Sequence, residues 1–120
     1  MMNVNKTKIL FTGDMEKEEE KDLITNEKLS FDILKIPHHG SSTSLSDEFY
    51  QNLNFKEAII SVGYDNKFGH PKEETINKLK SHKYYRTDLD GQIYIKIYKS
   101  SYKIKVNLDY NLLQMINKVL

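Results

Sequence analysis

The sequence contains no cysteine, which removes disulfides, thiolate metal sites and cysteine nucleophiles from the chemistries open to it. Any metal ligands must therefore be His, Asp or Glu. An excess of charge of one sign is also lacking. The 18 Lys and Arg face 17 Asp and Glu, a net charge of +1, so no global field draws the chain to nucleic acid or anionic lipid. Any phosphate-binding surface must be local. Long hydrophobic runs are missing too: stretches such as Ala58-Ile59-Ile60 fall far short of the ~20 residues of a membrane span. The start Met1-Met2-Asn3-Val4-Asn5-Lys6 has none of the apolar stretch of a secretion signal. The chain as given reads as soluble or cytoplasmic. It reads as a single domain over residues 1–120, a size that leaves only a modest core.

What is present alternates in period. Lys8-Ile9-Leu10-Phe11, stopped by Thr12-Gly13-Asp14, reads as a buried strand ending in a tight turn. The Glu/Lys-rich stretch from Met15 to Ile24 has helix-forming composition, with acids early where the helix dipole favours them. Phe31 to Ile36 is a second strand, closed by Pro37 and followed by the polar run His38-His39-Gly40-Ser41-Ser42-Thr43-Ser44. A helix should start near Ser46, with Phe49, Tyr50 and Leu53 on one apolar face. Glu57 to Gly63 is a third strand. Pro71 suits the first position of the next helix, where its missing N–H would be unpaired in any case. Tyr84 to Thr87 follows as a strand, then strictly alternating Gln92 to Tyr98, the turn Lys99-Ser100-Ser101 and Tyr102 to Val106, a half-exposed antiparallel hairpin. Leu112 to Leu120 is weakly amphipathic, a candidate closing helix. The pattern is α/β, with helices covering one face of a mixed sheet. The other face lacks a partner layer.

Three successive strand ends carry groups able to do chemistry. Asp14 follows the first strand, where open α/β sheets place ligand groups, although for this residue taken alone capping the next helix is the better account. His38 and His39 follow the second, beside Gly40 and Ser41. They make either a metal- or phosphate-binding group or an ordinary polar loop. His70 closes the third. Parallel strands joined by helical crossovers would bring all four residues to one edge of the sheet. Asp88 and Asp90, before Gly91, read as turn residues. His82 reads as a solvent-exposed residue at a helix C-terminus, with no function. Lys35, Lys56, Lys67, Lys72, Lys78 and Lys80 are interspersed with glutamates. Ordinary surface charge explains most of them, and only Lys67, next to the candidate site, is a candidate for substrate contact.

Ile9-Leu10-Phe11-Thr12-Gly13-Asp14 and Asp32-Ile33-Leu34-Lys35-Ile36-Pro37-His38-His39-Gly40-Ser41 resemble the later metal-binding motifs of metallo-β-lactamase-fold hydrolases. Ala58-Ile59-Ile60-Ser61-Val62-Gly63, Asn66-Lys67-Phe68-Gly69-His70-Pro71 and Tyr85-Arg86-Thr87-Asp88 with Gly91 narrow the resemblance to the C-terminal domain of the DNA-internalisation competence (ComEC) family. It covers about residues 8 to 97. It implies the C-terminal half of an αββα sandwich, and a domain attached in the family to a membrane protein. It further implies a metal-dependent hydrolase acting on phosphodiester bonds in DNA, with a zinc or manganese two-metal site.

On that resemblance Asp14 matches the carboxylate shared by both metals. One of His38 and His39, preferably His39, matches the last ligand of the second metal. His38, Ser41, Lys67 and His70 fall on the substrate side. The family's main His-x-His-x-Asp-His-like cluster occurs nowhere in the sequence, so two ligands stand where zinc takes about four. The expectation is a partial domain, inactive alone, whose partners are DNA and either the missing N-terminal half or a second copy as a dimer. Two alternatives stand beside it: a non-catalytic truncated fragment, and a metallo-hydrolase of another small ester or lactam.

Overall fold

The computed structural model describes residues 1–107, so the expected helix over Leu112 to Leu120 lies outside the described residues. The chain begins with β1 (Met2–Val4) and β2 (Thr7–Phe11), followed by helix α1 (Lys17–Leu23), β3 (Leu29–Ser30) and β4 (Ile33–Lys35). A 3-10 turn, Pro37–Gly40, leads to α2 (Asp47–Gln51), β5 (Leu53–Asn54) and β6 (Glu57–Ile60). Helix α3 (Glu73–Leu79), β7 (Lys83–Arg86), the single-turn α4 (Thr87–Asp90), β8 (Gln92–Ile97) and β9 (Tyr102–Asn107) complete it.

The main sheet has five strands in the order β1-β2-β4-β6-β7, parallel throughout except where β1 pairs antiparallel with β2. Ile33 and Leu34 of the central strand and the following Ile36 have no exposed surface. An apolar run without alternation marks a parallel strand covered on both faces. The fold is therefore mixed α/β, as the alternation of periods predicts.

One face of this sheet packs Leu34, Ala58 and Ile60 against Phe49 of α2 and Leu79 of α3, all fully buried. Leu53, expected on the apolar face of α2, instead opens β5, which pairs parallel with β3. The buried carboxylate of Glu20 in α1 accepts hydrogen bonds from the backbone N–H groups of Leu45 and Ser46. Ser46 in turn caps α2 by accepting from the Phe49 N–H at 3.2 Å. A negative group at these orphan donors satisfies backbone that would otherwise be buried unpaired, and it locks α1 to the start of α2.

The opposite face carries Ile9, Ile33 and Ile59, and the layer absent from the sequence pattern is supplied in part by the hairpin β8–β9. Its inward side chains Ile93, Ile95, Ile97, Tyr102 and Ile104 pack on the three isoleucines. The cover is incomplete. Between sheet and hairpin lies an apolar cleft of about 550 Å³ lined by Ile9, Phe11, Ile33, Lys35, Ile59 and Ile93 among others, and Phe11 remains 56% exposed.

Two further expectations need correction. Pro71 is not the first residue of α3: Lys72 is the N-cap and Glu73 the first helical residue. Pro71 is held before the helix because the Lys72 N–H donates to the Gly40 carbonyl at 2.9 Å, which fixes the chain's entry angle from outside the helix. His82 is not a free surface residue. Its ring stacks on Phe55 at 4.1 Å between centroids, and its Nε2 lies 3.0 Å from the Tyr50 hydroxyl. An apolar ring beneath and a hydroxyl alongside give it a packing role that sequence position alone does not reveal.

The Glu20 anchor gives a direct test. Glu20→Ala leaves two buried N–H groups without partners and should lower unfolding stability by about 2–3 kcal/mol, measured by urea denaturation. Loss within experimental error of zero would show that α2 is positioned by apolar packing alone.

Candidate functional site

The parallel pairing of β2, β4 and β6 places the loops that follow them side by side at one edge of the sheet. The first loop turns at Thr12, whose carbonyl accepts from the Met15 N–H at 3.1 Å, while Gly13 adopts φ +55°. The side chain of Thr12 donates to the Lys35 carbonyl at 2.5 Å, and the Gly13 carbonyl accepts from the His38 N–H at 2.9 Å. Loops one and two are thus sewn together through the two residues that precede Asp14. Capping does not explain that residue, because the N-cap of α1 is Glu16.

In the second loop three consecutive residues are left-handed: His38 at φ +45°, His39 at +56° and Gly40 at +83°. For two non-glycine residues this conformation costs on the order of 1–2 kcal/mol each. It persists only where the surroundings over-determine it, a condition that concentrates at functional sites. The determinant here is Gly40. A Cβ at that position would lie 2.6 Å from the Pro71 Cβ and 3.0 Å from its Cα, so only glycine fits. The Gly40 carbonyl also accepts from the Lys72 N–H and from the Thr75 hydroxyl at 3.1 Å. Loop three is thereby clamped to loop two.

The result is a defined arrangement of rings. His39 Nδ1 lies 2.6 Å from the Ser61 carbonyl. A carbonyl only accepts, so Nδ1 carries the proton and, in the neutral ring, Nε2 carries the lone pair. That Nε2 lies 3.6 Å from Asp14 Oδ1. An imidazole lone pair and a carboxylate 3.6 Å apart form a pair that a cation, either a proton or a metal ion, could bridge, and a backbone carbonyl on the far nitrogen is the usual support of a histidine ligand. His38 points elsewhere: its Nδ1 lies 3.2 Å from Glu16 Oε1 yet finds no hydrogen bond. Its ring meets His70 edge-on at 5.9 Å.

His70 is fixed by Asn66, whose side chain accepts from the His70 N–H at 2.9 Å and donates to the His70 carbonyl at 2.6 Å. Its ring stacks on Phe68, itself 73% exposed. Together with His39, Val62 and Gly63 these residues line a hollow of about 170 Å³. Lys67 is exposed and does not line that hollow. Ser41 is buried, its hydroxyl 3.0 Å from that of Thr43. The edge is buttressed from the start of α4: the Thr87 hydroxyl donates to the Val62 carbonyl and accepts from the Val62 N–H, each at 2.8 Å. Asp88 forks onto the Arg86 guanidinium at 2.7 and 3.0 Å, and Asp90 accepts from the Arg86 N–H at 2.7 Å. Both acids hold the turn, in agreement with their sequence reading.

Asp14, His38, His39 and His70 therefore lie along one edge, with Asp14 and His39 in closest approach. Glu16, Asn66 and Phe68 also belong to this edge and were not singled out by sequence reasoning. Only their loop positions next to Asp14 and His70 could have marked them. Lys35 belongs as well. Burial pulls its ammonium below the ordinary lysine value, opposed by the charge of Asp14, and its Nζ donates to the Ile36 carbonyl at 3.0 Å. Among the described residues no group of three or more His, Asp and Glu converges to hold a metal ion. No helix is long and apolar enough to cross a membrane among those residues.

Desolvation, reinforced by Lys72, His38 and His39, pushes the His70 imidazole below its ordinary 6.5. The fold thus favours neutral His70, a contribution present above the unfolded value and lost as pH falls below it. Between about pH 7.5 and about pH 5, His70→Gln should therefore lose less stability than the unaltered chain. Parallel pH profiles of the thermal midpoint test this, and coincident profiles would contradict it.

Over 87 residues the chain is 40% identical to ComE operon protein 3 of Bacillus subtilis, a match to 70% of this chain and 11% of that protein. Over 89 residues it is 36% identical to Competence protein ComA of Neisseria gonorrhoeae, covering 71% and 13%. Over 107 residues it is 27% identical to Recombination protein 2 of Haemophilus influenzae, covering 88% and 14%. No family model and no solved structure matches. The chain spans about a tenth to a seventh of the length of these relatives. Their names support a competence-related family, and this chain is similar to one short segment of its members.

Proposed function

We propose that the chain is the C-terminal half of a metallo-β-lactamase-fold hydrolase domain that cleaves phosphodiester bonds in DNA during competence uptake. The observation that carries this reading is the Asp14–His39 pair, 3.6 Å apart at the strand-end edge, with the His39 tautomer set by the Ser61 carbonyl. Likeness to segments of competence proteins supplies the context. The hollow beside His39 and His70, walled by the exposed Phe68, gives a substrate group a place next to that pair.

Zinc or manganese suits a His/Asp donor set equally. Both need more than the pair offers: four ligands, or three and water, complete even the smaller zinc site. The described residues do not by themselves fit a closed metal centre. On this reading the remaining ligands come from an N-terminal half or from a second copy, seated over the apolar cleft where Phe11 is exposed. The two-ligand set also favours a second reading, in which this chain alone is not catalytic.

The purified chain with manganese should show no appreciable nuclease activity, while a version joined to an upstream half bearing the missing ligands should cleave DNA. In the joined protein Asp14→Ala should abolish turnover, and His39→Ala should cost more than His38→Ala. Robust cleavage by the chain alone, lost on Asp14→Ala, would show instead that a complete site is assembled here. The uncovered cleft predicts association, since large exposed apolar patches are rarely tolerated on monomers. Light scattering should show self-association with rising concentration, reduced by Phe11→Ser. A stable monomer at high concentration would mean the fold is self-contained.

A further inference from the structure

The hairpin β8–β9 has two unlike faces. Its inner face is aliphatic. Its outer face presents Tyr94 and Lys96 from β8 and Lys103 and Lys105 from β9, with Tyr94 opposite Lys105 and Lys96 opposite Lys103. Tyr98 and Lys99 extend the same surface at the turn, and Tyr94 and Tyr98 are 42% and 49% exposed. Residues 91–107 hold four lysines and no Asp or Glu, in a chain whose overall charges balance to +1. Among the described residues, none of these lysines makes an ion pair. Like charges directly opposite on a sheet destabilise it. An anionic partner would relieve the repulsion between Lys96 and Lys103.

The tyrosines discriminate among anionic partners. A duplex offers phosphates but keeps its bases stacked inside, whereas an unpaired strand offers both phosphates and free base faces. Cationic tracks interleaved with aromatic rings are the general solution for binding unpaired strands. A membrane surface calls for side chains that insert, but here the Tyr94 hydroxyl donates to Gln92 Oε1 at 2.6 Å, tying the phenol along the strand. We infer that the outer face of β8–β9 binds an unpaired nucleic-acid strand, with the lysines on phosphates and Tyr94 and Tyr98 against bases.

The track has a direction. Its Gln92 end follows Gly91 and α4, whose Thr87 is bonded to Val62 beside the His39 hollow. Its Tyr98 end lies at the opposite edge, where the Tyr98 carbonyl accepts from the Asn5 side chain at 3.0 Å. Six-residue strands make this roughly 20 Å long. A strand lying on it leads to the Asp14–His39 edge, yet binding itself needs no hydrolysis and stands whether or not that pair is catalytic.

Fluorescence anisotropy of a labelled oligo(dT) with the full chain tests the inference, with thermal melts confirming that each variant folds. Joint Lys96→Gln, Lys103→Gln and Lys105→Gln should weaken binding at least about tenfold and reduce the salt slope by roughly two. Joint Tyr94→Ser and Tyr98→Ser should weaken oligo(dT) binding at least about fivefold while sparing a duplex of equal length. A control with Lys17→Gln, Lys21→Gln and Lys28→Gln should bind as the unaltered chain. Unchanged affinity in the hairpin variants, equal loss in the control, or capture by phosphatidylserine vesicles without oligonucleotide binding would overturn it.

Discussion

Everything at the site depends on the parallel register of three short strands. Pairing of Phe11 with Lys35 and of Lys35 with Ile59 brings the ends of β2, β4 and β6 level, so their loops leave the sheet as neighbours. From there each loop holds the next. The Gly13 carbonyl takes the His38 N–H, the Ser61 carbonyl takes the His39 ring, and the Gly40 carbonyl takes the Lys72 N–H. Backbone groups at strand ends must find partners if they are buried, and here they find them in one another. The candidate site side chains are positioned as a consequence of that accounting.

The two faces of the sheet are built to different standards. Under the helices, Leu34, Phe49, Ile60 and Leu79 are wholly buried in a continuous core. Under the hairpin, three isoleucines meet a ribbon whose inward residues stay only partly buried, and an apolar cleft remains beside Lys35 and Phe11. That asymmetry fits a chain that corresponds to a small fraction of its relatives' length. It also separates the hairpin's duties: one side closes the sheet, while the other is left free to carry an uncompensated row of lysines.

The order of the main strands and helices was legible because apolar runs such as Ile33 to Ile36 end sharply at Pro, and that order implies parallel pairing; the short β1, β3, β5 and α4 carry no such run and were not anticipated. Clustering of Asp14, His38, His39 and His70 followed from the same inference. What sequence could not show was orientation. Consecutive left-handed residues at His38 and His39 send the two rings in different directions, and they depend on contact between Gly40 and Pro71, residues far apart in the chain. His82 looked like an exposed helix end because Phe55 and Tyr50 reach it only through tertiary packing. The hairpin's alternation was plain, but which sheet face it would cover was not. Glu16 caps α1 where Asp14 had seemed an adequate cap, and that difference leaves Asp14 free to face His39.

The central claim is that Asp14 and His39 form one half of a ligand set. Its most direct test is ¹⁵N and ¹³C NMR of the histidine rings and carboxylates as manganese is added. The account predicts that His39 rests in the Nδ1–H tautomer, and that weak, readily reversed paramagnetic broadening centres on His39 and Asp14 ahead of His82 and Asp88. An Nε2–H tautomer at His39, or broadening centred away from that pair, would contradict it.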